Sequence, residues 1–149
     1  MKRLTPFLLL CLSIQTLLIS CGEDDGVTAN AFLGQWRVTS ARLSNALEQF
    51  SPDEETILWD FETNENYSGN TTVNQFSGRY RLDGSNTLTL LEFQTTEVAD
   101  TQFATAFYAA ISEAIVPDTT FAQLGYDFSG NTLTLTFGDG GRLVLERLQ

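Results

Sequence analysis

The sequence predicts a mainly β fold: an antiparallel, lipocalin-like barrel of about eight strands, or a strongly curled sheet, with one short α-helix. Apolar and polar residues alternate through most of residues 32–149, as in strands with one buried face. Only residues 101–115 change to a helical spacing. Closure into a barrel would also remove exposed sheet edges.

Composition limits the classes of function. The chain has 149 residues, enough for one domain, with 19 acidic and 8 basic residues and a net charge of −11. Such a charge disfavours nucleic acid as a partner. His, the usual general base and zinc ligand, does not occur in the sequence. We therefore predict no metal and no cofactor.

The N-terminus indicates a lipoprotein. Residues 1–20 read as a signal peptide, since a basic start precedes an apolar run too short and too interrupted to span a membrane. Leu18-Ile19-Ser20-Cys21 resembles a bacterial lipobox, with cleavage between Ser20 and Cys21 and acylation of Cys21. Acyl chains would then attach the protein to a membrane. The alternative is an ordinary secretory peptide that contains a Cys.

Residues 21–31 are predicted to be an acidic tether, disordered to about Asn30. Glu23-Asp24-Asp25 resembles the signal that exports lipoproteins of Bacteroidetes-type bacteria to the cell surface. The alternative is a solvated linker without a sorting role. The expected location is the outer membrane, with the surface face left open.

The domain proper is expected to span residues 32–149 and to begin with a strand from Phe32 to Ala41. Gly34-x-Trp36 resembles the opening of lipocalin-like barrels, in which an Arg lies over the Trp. Arg142 or Arg147 on the last strand could supply that cation. An ordinary core tryptophan is the interpretation that we favour from the sequence.

The next segments read as a polar connection, 43–55, and a strand, 56–62. The acids at 53–55 lack the ligand spacing of a calcium loop and indicate a solvated turn. A further strand follows at 67–72. Alternation in the strand 56–62 directs three residues inward: Ile57, Trp59 and Phe61.

The clearest hairpin spans residues 75–91 and turns at 83–86. Its inward residues are Phe76, Gly78, Tyr80 and Leu82 on one strand and Leu88 and Leu90 on the other. Asn74, just before it, is expected to adopt a left-handed turn conformation rather than to bind a ligand.

A helix is predicted over 101–115, with Thr101 as N-cap and Pro117 beyond its end. Phe103 and Phe107 lie on its apolar face and are expected in the core rather than in a ligand site. The helix is expected to cover one mouth of the barrel. Three last strands complete the domain, at 121–128, 132–137 and 142–148.

These elements resemble the META domain, found in heat-shock and novobiocin-resistance-associated envelope lipoproteins. The family pattern Gly-Cys-Asn-x-Phe-x-Gly-x-Tyr corresponds to residues 72–80, with Asn74, Phe76, Gly78 and Tyr80 in place. Val73 stands where the family has its cysteine, so a redox role is not implied. The resemblance implies no catalytic residues. A second resemblance is to lipocalin-like lipoproteins of Bacteroidetes.

We therefore expect a non-enzymatic, membrane-anchored envelope lipoprotein that binds an envelope component or has a stress-related structural role. One alternative is a binder of small hydrophobic ligands in the barrel; another is a carbohydrate-active enzyme using Asp60 and Glu62, two apart on one strand. Seven residues are candidates for either core or ligand contact: Trp36, Trp59, Phe61, Phe76, Tyr80, Phe103 and Phe107.

Overall fold

The computed structural model describes residues 25–84, 86–96 and 98–149. Two helices are present in this part, α1 (Asp25–Phe32) and α2 (Gln102–Glu113). Ten strands accompany them: β1 (Gly34–Arg42), β2 (Gln49–Phe50), β3 (Ile57–Phe61), β4 (Asn66–Asn70), β5 (Gln75–Asp83), β6 (Thr87–Leu90), β7 (Gln94–Thr95), β8 (Ala122–Ser129), β9 (Thr132–Phe137) and β10 (Gly141–Arg147).

Eight strands close into an antiparallel barrel. They follow one another in the order β1, β3, β4, β5, β6, β8, β9 and β10, and β10 pairs again with β1. The closing ladder runs from Trp36 opposite Arg147 to Arg42 opposite Arg142. The two short strands lie off this ring, because β2 pairs only with the end of β1 and β7 only with β5. The predicted closed barrel is confirmed.

The predicted central hairpin is the β5–β6 pair. Tyr80 lies opposite Leu90 and Leu82 opposite Leu88, as the alternation required. Phe76, Tyr80, Leu88 and Leu90 are buried.

Helix α2 covers one end of the barrel, here called the α2 end. The Thr101 Oγ1 atom accepts a hydrogen bond from the Ala104 N–H at 3.1 Å, so the predicted N-cap is confirmed. The helix stops at Glu113, ahead of Pro117. Its buried face packs onto β1, β8 and β10 and consists of Phe103, Ala104, Ala106, Phe107, Ala110 and Ile111.

The opposite end, here called the α1 end, departs from the prediction of a disordered tether to Asn30. Residues 25–32 are helical instead, and Phe32 is fully buried among Phe61, Tyr126 and Phe128. The first strand consequently starts at Gly34 rather than at Phe32. Burial of one large ring accounts for the ordering of a segment whose composition alone favours solvent. The signal peptide, Ser20 and Cys21 lie outside the described residues.

Candidate functional site

The Asn74 side chain holds the segment before α2 against the barrel. Its Nδ2 donates to the Val98 carbonyl at 2.7 Å and to the Asp100 carboxylate at 2.8 Å. Its Oδ1 accepts from the Thr96 hydroxyl at 2.8 Å and from the Val98 N–H at 3.0 Å. Asn74 does not have a positive φ, so the predicted left-handed conformation is wrong. The Asn74 amide instead makes four hydrogen bonds, which satisfy this buried polar group.

The rest of the motif strand packs against β4 and the loop after β6. The Phe76 ring lies over Gly69, where an added Cβ would come within 2.3 Å of the ring. A Cβ on Gly78 would lie 2.0 Å from the Glu92 carbonyl oxygen and 2.5 Å from the Tyr67 hydroxyl. Only glycine therefore fits these two places without a shift of the neighbouring backbone or ring.

Two buried tyrosines bracket this strand. Tyr67 donates to the Glu92 carbonyl, and Tyr80 donates to the Glu62 carbonyl at 3.0 Å. Burial raises the pKa of both phenols, with Glu92 adding to the effect at Tyr67 and Glu65 at Tyr80. Both hydroxyls therefore stay protonated and act as donors.

Aromatic side chains fill the barrel interior. Trp59 is fully buried and contacts four rings at centroid distances of 5.1–5.8 Å: Phe61, Tyr67, Phe76 and Phe107. Its Nε1 is buried among them without a hydrogen-bond partner in the described chain. A ligand of the lipocalin type needs a cavity of several hundred Å³. The packed rings occupy that space in the described structure, so the barrel interior does not support that alternative.

Trp36 is both a core residue and the partner of an arginine, the two interpretations that its sequence position allowed. It is fully buried, and the guanidinium carbon of Arg147 lies 4.3 Å from its ring centroid. The Trp36 Nε1 donates to the Phe32 carbonyl at 2.8 Å, and Arg147 donates to the Leu33 carbonyl at 2.6 Å and to the Ala31 carbonyl. These bonds satisfy carbonyls at the C-terminus of α1, where a cation is favoured.

A groove of about 570 Å³ lies on the outer wall of the barrel. Cross-strand neighbours line it in two rows. Gln35, Asp60, Ser68, Ser77 and Gln94 are successive partners across β1, β3, β4, β5 and β7 and form the first row. The second row runs from Leu58 through Asn70 to Gln75, with Thr96 beside it. We call these two rows the polar track.

The polar track is almost uncharged. Asp60 is the one acidic side chain among its residues, and none of them is basic. Arg37, the partner of Leu58 on β1, pairs instead with Glu146 at 3.2 Å. The side chains of Gln35, Gln75, Gln94, Ser68 and Ser77 have no intramolecular hydrogen bond in the described structure. Their donors and acceptors are therefore directed to solvent.

Of the two carboxylates proposed for glycoside hydrolysis, Asp60 lines the groove and Glu62 does not. Glu62 is exposed beyond the end of β3. Most glycosidases use two carboxylates that flank the bond to be cleaved. Phe103 and Phe107 are buried in the α2 face. Among the acids at 53–55, Glu55 accepts a hydrogen bond from Thr101 at 2.6 Å.

Sequence reasoning missed the polar track because its signal depends on strand register. Apart from Leu58, the outward positions of β3, β4 and β5 are polar in the sequence, but 5 to 25 residues separate the track neighbours that meet across the ladders. Among the described residues, no group of three or more His, Cys, Asp or Glu side chains is placed to hold a metal ion. No helix in the same part of the chain has the length and apolarity needed to cross a membrane.

Comparison with known proteins relates the chain to one family and to two solved structures. The family model for the META domain matches residues 29–149. An NMR structure of a protein from Burkholderia xenovorans is similar with a TM-score of 0.61 and 17% identity, over 83% of this chain and 88% of that one. A crystal structure of a protein from Bacteroides eggerthii DSM 20697 has a TM-score of 0.50 and 11% identity, over 78% and 99% of the two chains. No curated protein shows significant similarity.

Proposed function

Because the chain belongs to the META domain family, we propose that it is a lipid-anchored envelope protein whose barrel is a non-enzymatic binding module acting through its outer wall. The polar track carries this proposal. Its three Gln and two Ser side chains keep their hydrogen-bonding groups free of intramolecular bonds, whereas the barrel interior is occupied by rings. A filled barrel offers its wall and its ends for binding, not its centre.

Membrane attachment is proposed from Cys21 and the lipobox-like residues before it. Each buried methylene of an acyl chain contributes about 0.8 kcal/mol, so two or three chains would retain the domain at a membrane. The proposed location is the outer membrane, with the barrel held in the aqueous phase.

Detergent phase partition of wild type and Cys21→Ala tests the anchor. Wild-type protein should enter the detergent phase and carry an acylated N-terminal Cys21 by mass spectrometry. The variant should fold but remain unacylated, because Cys21 precedes every described element. Recovery of wild-type protein in the aqueous phase with an unmodified Cys21 would refute the lipoprotein assignment.

Site-specific photocrosslinking on intact cells tests binding through the outer wall. A photoreactive residue at Ser68, in the centre of the first row, should capture an envelope component. The same residue at Gln123, exposed on β8 across the barrel from β3, is the control. Equal capture at both positions, or none at Ser68, would argue against this surface.

A further inference from the structure

We infer that the polar track binds a neutral polyhydroxylated chain, that is, an oligosaccharide or glycan strand. This inference rests on the proposed function, in which the barrel binds through its outer wall. It adds the chemical class of the ligand, which neither the family match nor the two similar structures assign.

The direction of the polar track favours an extended ligand. The first row crosses five strands in register, from Gln35 on β1 to Gln94 on β7. Four inter-strand steps of about 4.8 Å give it a length of about 19 Å. On β3, β4 and β5, the residue of the second row lies two positions from the residue of the first row. The polar track is therefore an elongated surface two side chains wide. An elongated molecule lying across the strands would meet side chains from every strand.

The chemistry of the polar track matches hydroxyl groups. Each Gln amide offers two donors and a carbonyl acceptor, and each Ser hydroxyl can donate and accept. Neighbouring sugar hydroxyls also donate and accept, so amide and hydroxyl side chains can pair with them without burying a charge. Leu58 and the buried Phe76 ring, which also lines the groove, give a small apolar floor between the polar residues. Affinity is expected to be weak, because hydrogen bonds exchanged with water contribute modestly.

Charge and hydrogen bonding disfavour other ligands. Phosphate-bearing ligands and anionic headgroups would meet Asp60 and no cation in the groove, on a protein with a net charge of −11. A peptide strand could not add to the sheet at the centre of the track, because β3 and β4 are each paired on both sides. A protein partner would be expected to find exposed aromatic anchors, whereas the one aromatic ring that lines the groove, Phe76, is buried.

An NMR titration of the full-length chain, purified in detergent, with neutral linear pentasaccharides tests the inference. The probes are the β-linked glucose, β-linked N-acetylglucosamine and α-linked mannose pentamers, each beside its monosaccharide. Shift changes are expected at the backbone amides of residues 35, 58–60, 68–70, 75–77 and 94–96. At least one pentamer should bind at least tenfold more tightly than its monosaccharide, because it reaches more of the polar track.

Two variants on the polar track and one control variant elsewhere on the barrel test whether binding is specific to the track. Gln35→Ala/Gln75→Ala/Gln94→Ala should weaken binding at least tenfold, and Ser68→Trp should block the groove. Gln123→Ala, an exposed Gln on β8, should bind as wild type does. Far-ultraviolet circular dichroism should be unchanged in all three, since every substituted side chain is exposed.

Three outcomes would overturn the inference: no shift change with any pentamer, shift changes that map elsewhere, or equal loss of binding in the Gln123→Ala control. None of them would affect acylation of Cys21 or crosslinking of an envelope protein through Ser68. Protein capture at Ser68 without pentamer binding would retain the proposed function and reject glycan as the ligand.

Discussion

The two ends of the barrel are closed by different means. At the α1 end, backbone carbonyls of residues 31–33 are held by the side chains of Trp36 and Arg147. At the α2 end, a longer helix places Phe107 among interior rings, and buried polar side chains such as Asn74 fix the approach to it. Closure of the first end depends on the buried Phe32 ring and a few polar contacts to one short segment, whereas the second end buries six side chains of a twelve-residue helix.

The surfaces of the two ends differ as well. Among the described residues, the large exposed apolar side chains near the α2 end are Leu47, Phe50, Val73, Val98 and Ile115, whereas Leu148 is the one at the α1 end. The α1 end is also where the chain leads toward Cys21. The comparison suggests that opening the α1 end, which exposes the one buried ring of its segment, costs less free energy than opening the α2 end, which exposes six buried side chains. Four substitutions test this difference.

Phe107→Ala should have the largest effect. Phe107 is fully buried and contacts Trp59, Phe76, Phe93 and Tyr108. The loss of these contacts should lower the free energy of unfolding by about 3–5 kcal/mol in denaturant titrations. Phe107→Leu, which keeps much of the volume, should cost clearly less. A loss below about 1 kcal/mol for the Ala variant would mean that α2 is not part of the core.

Asn74→Ala should cost on the order of 3 kcal/mol, because it removes four hydrogen bonds of a buried amide, two of which hold the backbone N–H and carbonyl of Val98. Hydrogen exchange at residues 98–101 should accelerate in the same variant. Asn70→Ala is the matched control, since Asn70 is exposed and makes one side-chain bond, to Thr71 O at 3.0 Å. Equal effects of the two substitutions would refute a special role for Asn74.

Arg147→Ala should cost about 2 kcal/mol through the lost cation–π contact and carbonyl bonds. Its effect should be local: amide protons of residues 29–33 should lose protection while those of α2 keep it. Arg37→Ala is the control. It removes an ion pair in which the Arg37 and Glu146 side chains are 47% and 53% exposed, and it should change the free energy of unfolding little. Loss of protection across both ends would contradict independent closure.

Glu48→Gln should give the smallest effect and a dependence on pH. Hydrogen bonds from Arg142, one of them at 3.0 Å, hold the pKa of Glu48 below its ordinary value. A lowered folded pKa means that the stabilisation is present above the ordinary carboxyl pKa and is lost as pH falls through the folded value. The stability difference between wild type and variant should therefore shrink below about pH 4. A difference that is constant from pH 7 to pH 3 would contradict this assignment.

The barrel was predictable because its signals are local. Alternation in 57–61 and 75–83 directs Trp59, Phe61, Phe76 and Tyr80 inward, and that requires no knowledge of partners. The N-cap Thr101 was likewise readable from its position before an apolar face. Such signals predict whether a segment is a strand or a helix and which of its side chains point inward. These two facts describe most of an antiparallel barrel.

The features that were mispredicted or missed depend on distant partners. Helix α1 is ordered by Phe32 packing on Tyr126 and Phe128, and by Arg147, more than 90 residues away. Asn74 was interpreted by its turn propensity, whereas its conformation follows from Val98 and Asp100. The polar track exists only through strand register. Local propensity cannot supply these facts, because they arise when the ladder forms.

The pairing of the first strand with the last also sets an order in time. Arg37 and Glu146, partners across this ladder, are 109 residues apart. Because β10 is the last strand of the chain, the edge of β1 stays unpaired until the C-terminal segment folds onto it. During that interval it offers unpaired backbone groups to other chains. Barrel closure is therefore a late, long-range event, and folds that depend on such contacts form slowly. Pairing with β10 removes the exposed edge of β1 and with it the risk that this edge pairs with another chain.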